Sequence, residues 1–251
     1  MTQRAAVRTR RRRSLPVWAE TVLLLVMALV VSALVKTFFV QMFFVPSGSM
    51  RPLFVEDDRI LVQKVSYWAG DVHRGDVVVF DDPDGRWLGA QSPPPLSPVQ
   101  RLLSAVGLYP TGGHLVKRVI GVGGDRVACC DPRGRITVNG VPLSERPYLA
   151  RGTAPSDRPF DITVPQGRLW MMGDNRSNSE DSRFHQDLPA GGTVPVSGVV
   201  GKVWAIVWPL PRAHLLDDPA TFEDPRLSAA SSRAREDDAP AAAPRAAAPL
   251  G

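Results

Sequence analysis

The chain has 251 residues, enough for one large domain or two small ones, and a formal net charge of +5. Six arginines (Arg4, Arg8, Arg10, Arg11, Arg12 and Arg13) and no acid fall within residues 1–13, which leaves residues 14–251 at −1. A basic arm directly before an apolar run reads as a membrane-topology signal, which argues against a nucleic-acid partner.

In chain order, residues 1–16 are the expected cytoplasmic arm and residues 17–37 the expected transmembrane anchor. Thr21 to Val35, TVLLLVMALVVSALV, carries no charge. With Leu15 to Trp18 it approaches the roughly 20 residues that cross a bilayer. Trp18 suits the near interface, and Lys36 can snorkel to the far one. A cleaved leader ending at Val31-Ser32-Ala33 is the competing reading. The apolar run continues through FFVQMFFV, Phe38 to Val45, without the polar break of a processed start, which favours a retained anchor. Either way the remainder is exported. The expected topology is a single pass through the cell membrane, with the N-terminus cytoplasmic and the domain outside.

Residues 38–212 are expected to form an extracytoplasmic, mostly β domain of packed antiparallel sheets. Its β-type runs are RILVQKV (59–65), GDVVVF (75–80), HLVKRVIGV (114–122), RITVNGVPL (135–143), RLWMMG (168–173) and GVVGKVWAIVWPL (198–210). Asn139-Gly140 between two apolar residues predicts a type I′ hairpin. A Pro-rich insertion, 81–113, interrupts the pattern and holds a candidate short helix at Val99 to Leu108. Arg146 to Phe160 reads as a second irregular region. Residues 213–251, acidic and then Ala/Pro-rich, read as a disordered tail. The only cysteines, Cys129 and Cys130, are adjacent, so they cannot staple distant segments. They leave open a vicinal disulfide, two buried thiols or an intermolecular bond. Two thiols are too few for a zinc site.

Three segments carry chemistry. VPSGSMRP, Val45 to Pro52, sets Ser47 and Ser49 around Gly48 where the chain leaves its apolar run. A serine hydroxyl needs a base to become a nucleophile. Among the histidines, His73 and His214 read as exposed, and His185 is the serious triad candidate. Lys117 is the better base: it sits inside a β-branched run, where desolvation would lower its pKa. Arg118 alternates to the other face, so one of the two can point inward and the other outward. The third segment, GDNRSNSEDSR from Gly173 to Arg183, follows an apolar strand. There Asp181 and Arg183 can pair, and Ser179 can aim a lysine amine.

Together, PSGSMRP, GDVVVF, KRVIGVGGD and GDNRSNSEDSR, in this order after an anchor, resemble the signature boxes of bacterial type I signal peptidases. These are membrane-bound serine proteases with a Ser-Lys dyad on a β-rich fold, and the likeness covers roughly residues 20–208. The resemblance implies Ser49 as nucleophile, Lys117 as general base, and Ser47 with the Ser49 N–H as oxyanion hole. It further implies Ser179 as the lysine-orienting residue and Asp174, Arg176, Asp181 and Arg183 as structural support. Gly123 stands where many members have proline, a departure that leaves the dyad intact. No metal or organic cofactor is implied. The expected partners are secretory preproteins with small residues before the cut, membrane lipid and the protein-export translocon. Two other readings fit the chain less well. A self-cleaving Ser-Lys repressor protease would need a DNA-binding module in place of the anchor. A non-enzymatic tethered β domain gives no reason to hold Ser49, Lys117 and Ser179 together.

Overall fold

Val77-Val78-Val79-Phe80 is a continuous apolar run rather than an alternation, the pattern of a strand covered on both faces. The computed structural model, which describes residues 16–38, 40–64, 71–88, 97–99 and 113–228 and the side chains among them other than 32–38, 40 and 84, bears this out: all four side chains are buried. The strands in order are β1 (Val40–Phe44), β2 (Arg59–Gln63), β3 (Val77–Asp81), β4 (His114–Val122), β5 (Arg126–Cys129) and β6 (Ile136–Val138). Then come β7 (Val141–Pro142), β8 (Phe160–Thr163), β9 (Arg168–Met172), β10 (Val194–Pro195), β11 (Val199–Trp208) and β12 (His214–Leu215).

Among the described residues these strands make two antiparallel sheets. The larger runs β1-β2-β11-β3-β4-β9-β10, with β12 added to β11, and the smaller runs β7-β6-β5-β8. The expected hairpin joins β6 to β7, with Asn139 and Gly140 at φ of 53° and 78°, the left-handed values a type I′ turn demands. One face of the large sheet buries Val78, Phe80, Val119, Leu169 and Met171 against Val72, Trp87 and Val194. On the opposite face, Ile120, Trp170 and Met172 pack against Val127, Ile136, Val138 and Phe160 of the small sheet. Val77 and Val79 of that face meet Val45, Met50 and Phe54, which descend from the serine turn. The strands that carry the site are therefore dry on both sides.

Several expectations change. The chain does not become disordered at 213: β12 pairs with β11, Lys202 Nζ donates to Asp218 at 2.8 Å, and Leu227 is buried in the core beside Phe222. Averaged composition hid Phe222 and Leu227, two apolar anchors set among acids and prolines. Residues 229–251 lie outside the described residues, as do the arm at 1–15, most of the Pro-rich insertion and all but the first residue of its candidate helix. FFVQMFFV supplies an edge strand, β1, paired with β2 from Val40↔Gln63 to Phe44↔Arg59. Arg146 to Phe160 does not pair until its last residue, which opens β8. Cys129 and Cys130 are bonded to each other.

The apolar N-terminal run forms helix α1 (Val17–Phe38). Its described large apolar side chains, from Val17 to Val31, are exposed. Among the described residues, no helix is long and apolar enough to cross a membrane.

Candidate active site

After β1, Gly48–Met50 forms one short 3-10 turn, closed by the Arg51 N–H donating to Gly48 O at 3.2 Å. Met50 and Phe54 are buried, anchoring the turn in the core and setting Ser49 against the middle of β4. Lys117 occupies a β4 position between Leu115 and Val119 on one face, opposite Val78 of β3. Its Nζ donates to Ser49 Oγ at 2.8 Å, and Ser47 Oγ lies 3.4 Å from the same oxygen. Lys117 is only 3% exposed, so its charged form is poorly solvated. Burial pulls its pKa from 10.5 down to about 8, with the Asp181 carboxylate nearby resisting the shift. At pH 7 roughly a tenth of such amines are neutral, against about 0.04% for an ordinary lysine. The Ser49 hydroxyl and the Lys117 amine are in contact.

Gly173 directly follows β9 and lies close to Ser49. A Cβ there would stand 2.2 Å from Ser179 Oγ and 2.5 Å from Ser49 O, so only glycine lets the strand end approach this closely. The Gly173 N–H donates to Asp181 Oδ2 at 3.0 Å. Asp181 in turn pairs with Arg183 Nε at 2.8 Å, both side chains fully buried. Arg183 also donates to Arg176 O at 2.8 Å, and Arg176 donates to Gly173 O at 3.0 Å. This interlocked loop holds the floor of the site.

Arg118 corrects the expectation of one inward and one outward side chain. It does point away from Lys117, but it is equally buried, because loop 144–155 closes the second face. It makes a two-pronged pair with Asp174 at 2.8 and 2.6 Å and lies 4.6 Å from the Tyr148 ring centre. Arg176 similarly pairs with Glu145 at 2.6 Å, whose carboxylate accepts the Tyr148 hydroxyl at 2.7 Å. Breaking a buried pair strands one charge, at a cost of about 3–5 kcal/mol. Asp174→Ala is therefore expected to lower unfolding stability by about that much, measured by urea titration. A loss under about 1 kcal/mol would show that Asp174 does not hold the site together.

Ser179 does not sit as its expected role requires, and His185 does not take up the alternative triad. Ser179 is buried beside Gly173, but its Oγ has no hydrogen-bond partner among the described residues, and the lysine amine donates to Ser49 instead. His185 stacks on Trp87 at 4.4 Å, and burial lowers its pKa. Its Nε2 has no partner among the described residues, so it forms no triad with Ser49. Asn175 was missed in the sequence: its N–H donates to Ser49 O at 3.0 Å, and its Nδ2 donates to Gly48 O at 3.0 Å. Glu145 and Tyr148 were missed as well. No local spacing announces contacts to partners this far away in the chain. Among the described residues, no group of three or more His, Cys, Asp or Glu side chains is arranged to hold a metal.

Comparison with known proteins gives the family of the chain. The family model described as "Signal peptidase, peptidase S26" matches residues 18–208. The signal peptidase I of Mycobacterium tuberculosis, in strains CDC 1551 / Oshkosh and ATCC 25618 / H37Rv, is 41% identical over 217 residues, covering 77% of this chain and 73% of that protein. The signal peptidase I of Leptolyngbya laminosa is 31% identical over 179 residues, covering 71% and 73%. The crystal structure of a signal peptidase I from Enterococcus faecalis V583 is 24% identical over 53% of this chain and 96% of its own, with a TM-score of 0.32, too low to bear on the fold. The chain belongs to the signal peptidase family, peptidase S26, and is a hydrolase of the type I signal peptidase kind.

Proposed function

We propose that this protein is a membrane-bound serine endopeptidase that removes N-terminal signal peptides from exported preproteins with a Ser49–Lys117 dyad. The observation that carries the reading is the 2.8 Å contact between Lys117 Nζ and Ser49 Oγ in a site dry enough to bring the amine to about 8.

In the reaction, the neutral Lys117 amine takes the Ser49 proton as Oγ attacks the scissile carbonyl carbon. The Ser47 hydroxyl and the Ser49 N–H donate to the oxygen that gains charge. The tetrahedral species collapses as Lys117 returns the proton to the departing amine of the mature chain. The signal peptide is left as an ester on Ser49. Lys117 then takes a proton from water, whose oxygen attacks the ester, and the signal peptide leaves as the proton returns to Ser49 Oγ.

The part of α1 whose side chains are described, ending at Val31, is too short to span by itself; the uncharged sequence that continues to Val35, together with the arginines of the arm, supports a single-pass anchor with the domain outside the cytoplasm. Membrane lipid and the protein-export translocon are the partners this placement brings. The test of topology is protease added to intact spheroplasts, which should digest the domain; its protection would overturn the orientation.

Ser47→Ala should lower kcat by up to about 10²–10³-fold and leave the pH profile in place, because it removes one oxyanion donor and not the base. Ser179→Ala should cost less, roughly ten- to a hundredfold. The Ser179 hydroxyl is buried beside the dyad with no hydrogen-bond partner among the described residues, placed to receive the lysine amine once Ser49 turns toward substrate. Steady-state cleavage of a leader-sequence peptide measures both. A Ser47→Ala enzyme of normal kcat would remove Ser47 from the oxyanion hole.

A further inference from the structure

We infer that Asn175 is the positioning residue of the oxyanion hole, setting the direction of the Ser49 N–H from a distance of 126 residues along the chain. The inference rests on the reading of Ser49 as nucleophile and adds a determinant that the dyad itself does not contain.

The Gly48 carbonyl and the Ser49 N–H belong to one peptide unit. That unit is planar and trans, so its C=O and N–H point in opposite directions. Whatever holds Gly48 O therefore aims the Ser49 N–H. Two donors hold it: Arg51 N–H at 3.2 Å, within the turn, and Asn175 Nδ2 at 3.0 Å, from the far loop. Two donors occupy both lone pairs of the carbonyl oxygen.

The Asn175 backbone N–H also donates to Ser49 O, at 3.0 Å. Asn175 thus grips the peptide unit on each side of the nucleophile. A single short 3-10 turn is a weak element by itself, with poorer hydrogen-bond geometry than an α-helix. Here it is clamped to a loop whose other side is fastened by the Asp181–Arg183 and Arg176–Glu145 pairs. Asn175 does not touch the Lys117 amine in this arrangement, so it should act on the carbonyl's developing charge and not on the base.

The experiment is steady-state and inhibition kinetics on the full chain in detergent, with Asn175→Ala, Asn175→Asp, Ser47→Ala and the Asn175→Ala/Ser47→Ala double variant. A peptide aldehyde with a leader-type sequence serves as the probe, because it adds to a serine as a tetrahedral adduct. Asn175→Ala is expected to lower kcat about ten- to a hundredfold, less than outright loss of an oxyanion donor, with KM and the pH midpoint unchanged. Aldehyde affinity should fall by a similar factor. Loss in the double variant should differ from the product of the single losses, since both residues serve one oxygen. Asn175→Asp is nearly isosteric and separates the role from packing. Its carboxylate faces Gly48 O without a proton to donate, so it should be no faster than the alanine variant, and it carries the test if the alanine variant fails to fold.

If Asn175→Asp keeps kcat within twofold of wild type, or if the pH midpoint moves while aldehyde affinity stays, the positioning role is wrong. Ser49→Ala and Lys117→Ala assayed alongside separate the two failures. If those variants remain active, the dyad itself is wrong; if they are dead and Asn175→Asp is normal, only the clamp is.

Discussion

Ser49→Ala and Lys117→Ala are each expected to lower kcat/KM for preprotein cleavage by about 10⁴-fold or more, and the double variant is expected to be no worse than either. The 2.8 Å contact makes the two side chains one device: a hydroxyl without the amine keeps its proton, and an amine without the hydroxyl has nothing to activate. Neither change should unfold the chain, since the turn stays anchored by Met50 and Phe54 and the strand by its two neighbours. Circular dichroism and a urea transition on the same samples separate loss of chemistry from loss of fold. Multiplied losses in the double variant would mean that the two residues act on separate steps.

The second large effect is on stability: replacing Lys117, which should abolish activity, should make the fold more stable. Lys117 titrates near 10.5 when unfolded and at about 8 when folded, because burial disfavours the ammonium. Between those values the unfolded chain binds a proton that the folded chain does not. Stability should therefore rise with pH across that window, and the penalty stands in full below about pH 8. At 1.36 kcal/mol per pKa unit, the penalty is about 3 kcal/mol. Lys117→Met keeps a long side chain and removes the charge. It should be more stable than wild type by an amount of that order at pH 7, with the gap closing as pH approaches 10.5. Urea midpoints at pH 7 and pH 10 measure it. A Lys117→Met protein less stable than wild type at pH 7 would mean that the buried ammonium is fully compensated by its surroundings, against the lowered pKa.

What was legible in the sequence was local. A lysine inside the β-branched run HLVKRVIGV stands where desolvation would lower its pKa, and the structure buries it; Asn139-Gly140 signals a turn from two residues alone. The runs read as β-type all contain strands, because β-branched residues and turn residues act over a few positions. What was not legible depends on partners. Whether Arg118 faces water or protein turns on Asp174 and on loop 144–155, neither of which is near it in the chain. β5 and β8 are four residues each, and their pairing with one another defines them more than their composition does. Residues 213–228 do not follow the tail reading because Leu227 packs among strands laid down far earlier. Asn175 was invisible for the same reason: an asparagine in a polar stretch looks like solvated loop until the loop is seen to end at Gly48 and Ser49.

The most direct test of the central claim is the pH dependence of kcat/KM for preprotein cleavage, compared between wild type and His185→Ala. The profile reports the base in the free enzyme. With Lys117 as that base, activity should climb through a midpoint near 8, and the curve should keep its shape in His185→Ala. A midpoint near about 6 to 7 that disappears with His185 would contradict the account and place a histidine where Lys117 has been put.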